Sequence, residues 1–144
     1  MNKVSQILRK KGSRVWKIAK DATVLEALQL MAEKKTGSVM VMDGNMVAGI
    51  FTERDFARKV GLFEPNPGAV RVGDVMTSQL ITISLTDSVN ECMEIMTENH
   101  IRHLPVLDDG RLVGIISIGD VVKDIIDELQ FMVKQLENYI TGFR

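Results

Sequence analysis

Between Thr23 and Met31 the apolar residues Val24, Leu28 and Met31 fall four and three positions apart, which sets them on one face of a helix. Val89, Met93 and Met96 repeat that spacing further along the chain. Both runs open with a hydroxyl residue and a glutamate three positions later, Thr23 with Glu26 and Ser88 with Glu91, the pattern of a helix N-terminal capping box. The period then changes. Residues 38–42 and 104–107 read as strands, 47–51 and 112–116 as the strands that return. Asp43-Gly44-Asn45 and Asp108-Asp109-Gly110 supply the turns between them. Short extended pieces at 16–18 and 80–83 precede the helices, and second helices open at Thr52 and Ser117. The predicted order is β-α-β-β-α, twice, in an α+β fold.

The two halves superimpose at an offset of 65 residues without a gap: 23–60 lies over 88–125. Nine of the 38 pairs are identical, among them Asp43/Asp108, Gly49/Gly114 and Asp55/Asp120, so every motif must be read as one of a pair. The linker "FEPNPGAV" holds two of the three prolines and a glycine, and places the expected boundary between repeats 1–66 and 67–144. Beyond Asp120 the pattern runs on. Val122, Ile126, Leu129, Val133, Leu136 and Ile140 are spaced 4, 3, 4, 3, 4, a short heptad seam, and Gly142 marks its end. Such an extended C-terminal helix exceeds what a repeat needs. It either folds back over the protein's own apolar surface or joins two chains; the homodimer is the favoured reading.

Charge alters the picture locally. Net charge is −1, which gives no overall polyanion-binding character. Residues 1–20, however, carry Lys3, Arg9, Lys10, Lys11, Arg14, Lys17 and Lys20 and no acid, a solvated face or, as its rival, a nucleic-acid surface. The single cysteine, Cys92, excludes an internal disulfide and reads as a small buried hydrophobe; the nine methionines read mostly as core. The polar, basic start shows no signal peptide, and no apolar run approaches the roughly 20 residues of a membrane helix. A cytoplasmic protein without membrane contact is expected.

The paired heptapeptides "GIFTERD" and "GIISIGD", together with "IRHLPVLDDGRLVG" and "VGDVMT", resemble the CBS-domain family, the tandem sensor modules named for cystathionine β-synthase. The likeness covers nearly the whole chain. It departs at "GSVMVMDGN", where the second repeat has "RHLPVLDDG", and at Leu85, where the family often has proline. The resemblance implies two repeats packed as a pseudo-twofold CBS pair with two clefts. It implies a regulatory module without catalytic residues or a required cofactor. Its ligand would be an adenosine nucleotide, AMP first, with ATP, NAD and S-adenosylmethionine as relatives. A homodimer and an unidentified regulated protein complete the expectation.

One implied site joins Thr52, Arg54 and Asp55 to Thr82, Ile83, Arg102, His103 and Pro105 of the other repeat. The other joins Ser117 and Asp120 to Lys17, Gly37 and Ser38. The chemistry suits those roles. A carboxylate accepts from both ribose hydroxyls, a helix N-terminus and an arginine fork favour phosphate, Thr82 and the backbone of Ile83 would reach adenine, and Pro105 would shape its strand. Ser/Thr-x-x-Asp is equally an ordinary helix cap, and the two roles can coexist. The Asp120 site, with no arginine beside it, is expected to be the weaker. His100 and His103 lack further ligands at a convincing spacing, so no metal site is expected; no activated nucleophile is visible either.

Overall fold

The computed structural model describes residues 2–61 and 63–142. In chain order it contains α1 (Val4–Lys11), β1 (Lys17–Ala19), α2 (Val24–Lys34), β2 (Ser38–Asp43), β3 (Met46–Thr52), a short α3 (Glu53–Asp55) continued by a π-type turn (Phe56–Val60), a 3-10 turn (Pro67–Ala69), α4 (Val72–Val75), α5 (Val89–Asn99), β4 (His103–Asp108), β5 (Arg111–Ser117) and α6 (Ile118–Thr141). The α+β class and the two repeats are as predicted. The Thr23 and Ser88 hydroxyls accept from the backbone N–H of Glu26 and Glu91, at 3.1 and 3.0 Å, so the cap residues start the helices. Helices α2 and α5 end alike, on Lys35 and His100 in the left-handed region.

Two compact units result, and their boundaries correct the sequence reading. The first-repeat unit is Arg14–Ile81; the second-repeat unit is built from the chain up to Ser13 and from Thr82 onward. The basic start is thus not merely a solvated face. Val4, Ile7 and Leu8 of α1 are buried with Cys92, Leu104, Val106, Ile116 and Val121 in the core of the second-repeat unit. Val4 and Ser5 donate their N–H groups to the carbonyls of Asp87 and Leu85 at 2.9 and 3.0 Å. Residues 67–81, assigned by their proline-rich flank to the second repeat, instead close the first. Val24 donates to the Val70 carbonyl and Val72 to that of Ala22, both at 2.8 Å.

In the first-repeat unit β1 pairs parallel with β2, and β2 antiparallel with β3. In the second-repeat unit β4 and β5 pair in the same register, down to the irregularity after Val106 that matches the one after Val41. The extended piece at 80–83 reduces to one parallel bridge, Ile83 with Val106, because its neighbours make no further ladder bonds.

Gly49 and Gly114 occupy equivalent sites and answer to the same need. A methyl on Gly49 would stand 2.5 Å from the Thr77 carbonyl oxygen; one on Gly114 would stand 2.7 Å from a Leu8 methyl. In both units the returning strand receives a segment from elsewhere in the sequence. Gly49→Ala is expected to cost about 2–3 kcal/mol, since backbone must move, and Gly114→Ala about 1 kcal/mol, since the Leu8 side chain can rotate. Urea unfolding of both variants checks that order; equal costs would refute it.

Burial keeps Cys92 inert. Desolvation, helped by Asp87 and Glu91, pushes its thiol up to about 11, so it stays protonated at neutral pH. Most apolar methionines pack inward, but Met46 and Met132 are exposed. The fold-back alternative for the C-terminal helix is not what forms: every α6 residue from Leu129 on is exposed.

Candidate functional site

The register that aligns the strands also places the Ser/Thr-x-x-Asp residues. Ser38 lies opposite Thr52 and His103 opposite Ser117. Glu53 donates its N–H to the Gly37 carbonyl at 3.1 Å, and Ile118 does so to Arg102 at 2.9 Å. Within each unit, then, the start of the middle strand meets the start of the following helix.

In the first-repeat unit Asp55 is buried and fully engaged. One carboxylate oxygen accepts from the Thr52 N–H at 3.1 Å and the Thr52 hydroxyl at 3.2 Å. The other accepts from the Thr77 hydroxyl at 2.9 Å and faces the Lys59 ammonium at 3.2 Å. The Thr52 hydroxyl accepts in turn from the Asp55 N–H. The cap reading is therefore correct for the ground state. The Lys59 ammonium and the Thr77 hydroxyl thus share the oxygen that the cap leaves open. Arg54 is exposed beside it. Gly37 and Glu53 border an open pocket of about 330 Å³ that also takes in Lys35 and Thr36. Ser38 is buried and Lys17 exposed on β1.

The second-repeat unit repeats the cap. Asp120 accepts from the Ser117 N–H at 2.8 Å, and the Ser117 hydroxyl accepts from the Asp120 N–H at 3.1 Å. Its cation comes from elsewhere: Lys11 of α1 lies 2.6 Å from the carboxylate and donates to the Ile115 carbonyl at 3.0 Å. A pocket of about 90 Å³ here is lined by Lys10, Lys11 and Lys123 as well as by Asp120, Asp124 and Asp127. The expected poverty of charge around Asp120 is corrected by these lysines, of which Lys10 and Lys11 lie more than a hundred residues away in the sequence and Lys123 only three.

Ile83 is held in the sheet. Its N–H donates to the Pro105 carbonyl at 3.0 Å and its carbonyl accepts from the Leu107 N–H at 2.9 Å. Both groups belong to the sheet, which leaves the Ile83 backbone only the second lone pair of its carbonyl for a further partner; Thr82 next to it is exposed. Pro105 is buried in β4. Arg102 is exposed and His103 half-buried. Lys59 and Thr77 were missed, although the spacing of four between Asp55 and Lys59 was readable. Among the described residues no group of three His, Cys, Asp or Glu side chains is arranged to hold a metal ion. Nor is any described helix long and apolar enough to cross a membrane.

The CBS domain pattern matches residues 4–61 and again 72–127. The chain belongs to the CBS-domain family. Such pairs are typically regulatory and non-catalytic and often bind nucleotides. The CBS domain-containing protein CBSX3 of Arabidopsis thaliana, a mitochondrial protein, is 35% identical, over 96% of this chain and 72% of its own. A CBS-domain protein from Burkholderia ambifaria has a similar structure, with a TM-score of 0.85 and 46% identity, covering 88% of this chain and 95% of that one. A hexameric CBS-CP12 protein from bloom-forming cyanobacteria follows at a TM-score of 0.74 and 29% identity, covering 84% and 66%.

Proposed function

We propose that this CBS-domain protein is a non-catalytic sensor of adenosine nucleotides, AMP first, with ATP, NAD and S-adenosylmethionine as the other candidates. The observation that carries the reading is the repeated Ser/Thr-x-x-Asp, with each aspartate held as a cap beside a lysine. Asp55 and Asp120 would take ribose hydroxyls; Arg54, Arg102 and His103 serve phosphate, and Thr82 serves adenine. Binding acts by favouring one of two arrangements of the protein, since a ligand shifts an equilibrium only by its preference for one state. An unidentified partner protein reads that shift, and the cytoplasm is the proposed compartment. Native mass spectrometry of freshly purified protein tests the reading: a retained adenosine nucleotide supports it. A ligand-free spectrum with no binding of the four candidates in calorimetry would leave only a dimerisation module with empty sites.

The rival nucleic-acid reading is weakened by the uses to which the basic run is put. Lys11 pairs with Asp120, Lys20 with Asp43, and Arg14 lies 5.4 Å from the Trp16 ring centre. What remains should give only weak, steeply salt-dependent attraction. Fluorescence anisotropy with duplex DNA and single-stranded RNA is expected to show no sub-micromolar complex at about 0.2 M salt; a complex that persists there would restore the rival.

A further inference from the structure

Helix α6 is buried along one side near its start, through Val121 and Asp124, and leaves the seam from Val122 to Ile140 uncovered. Beside that seam runs a third apolar column, Ile125, Met132 and Tyr139, and on the seam's other flank a polar one, Lys123, Gln130 and Glu137. We propose that α6 pairs antiparallel with α6 of a second copy of this chain. The flanks decide the direction. A parallel pair lays the apolar flank of one helix along the polar flank of the other, Met132 beside Glu137. An antiparallel pair sets like flank on like. With Leu129 layered on Val133 of the copy and Ile126 on Leu136, Lys123 meets Glu137 twice by symmetry. Gln130 and Met132 then meet their own counterparts, and Tyr139 reaches Ile125. Ile125 already packs on the core of its own unit, so the interface continues that core.

Cross-linking reads the direction. Under oxidised glutathione, Gln130→Cys is expected to give a disulfide-linked dimer, and Val122→Cys is not. The antiparallel pair sets Val122 against Ile140, so the two copies of residue 122 lie about 27 Å apart at roughly 1.5 Å per residue, beyond the reach of a disulfide. Lys123→Glu is expected to weaken the dimer roughly three- to thirtyfold in sedimentation equilibrium, and adding Glu137→Lys should restore it. Phe131→Glu, on the back of the helix, should leave assembly unchanged. All these positions are exposed except half-buried Ile125, which is left alone, so the variants fold. Cross-linking of Val122→Cys in place of Gln130→Cys, a charge swap that fails to restore, or a monomeric wild type would overturn the proposal. No nucleotide enters these experiments, so their failure is separate from failure of the sensor reading.

Discussion

A chain carrying both Leu129→Glu and Leu136→Glu is expected to sediment as a folded monomer. The two leucines are 55% and 62% exposed within the single chain, so the substitutions remove almost nothing from its own core. Thermal stability of the monomer should therefore stay within about 0.5 kcal/mol of the value for an ordinary surface change. Assembly is another matter. Pairing would bury four carboxylates in an apolar seam, each at several kcal/mol unless protonated or paired. An unchanged dimer would remove α6 from the interface. A wild type larger than a dimer, reduced to dimers by the two substitutions, would make the seam one interface of a higher assembly.

AMP is expected to raise the melting temperature of the wild type. At about a hundred times its dissociation constant, a ligand stabilises the fold by roughly 2.7 kcal/mol. Asp55→Ala should abolish most of this increment, while Arg54→Ala should bring the AMP response down to that of adenosine. Asp120→Ala should leave much of it. The ligand-free melts must be read first. Asp55 caps its helix and binds Thr77 and Lys59, so its loss alone should cost about 1–2 kcal/mol. The comparison is therefore between increments. Asp55→Asn keeps most of the capping geometry and loses the charge that makes the carboxylate a strong acceptor. A full AMP increment in Asp55→Asn and Asp55→Ala would show that the residue is a cap and nothing more. The opposite ranking of Asp55 and Asp120 would assign the stronger site to the second-repeat unit, where Lys10, Lys11 and Lys123 gather.

Local signals were readable wherever the determinant was local. Thr23, Ser88, Thr52 and Ser117 each announce a helix start by a hydroxyl that reaches only three residues ahead, and each does so in the structure. That the two hairpins match position by position followed from the offset of 65, and their registers agree at that offset. What stayed hidden was set by distance along the chain. Val4, Ile7 and Leu8 do carry a helical spacing, but the lysines and arginines around them read as solvent-facing, and nothing local says which core they enter. Lys11 meets Asp120, and Leu8 meets Gly114, only because α1 docks there. The proline-rich linker correctly marks irregular chain, yet composition does not reveal that Val70 and Val72 bind back to the first repeat. The pairing of Ile83 was hidden for a related reason: a single bridge engages the same backbone groups as a full strand, with no run of alternating residues to announce it.

The docking of α1 also sets an order of events during synthesis. Helix α1 leaves the ribosome before any other described element, but β5 and α6, on which it packs, emerge about a hundred residues later. The Arg14–Ile81 unit has all its partners in one continuous stretch and can fold while translation proceeds. For that interval α1 is a short basic helix with an uncovered apolar stripe, too short to hold its own shape in water. Closure of the second-repeat unit thus waits for the late segment, with the whole Arg14–Ile81 unit inserted in the chain between its two parts.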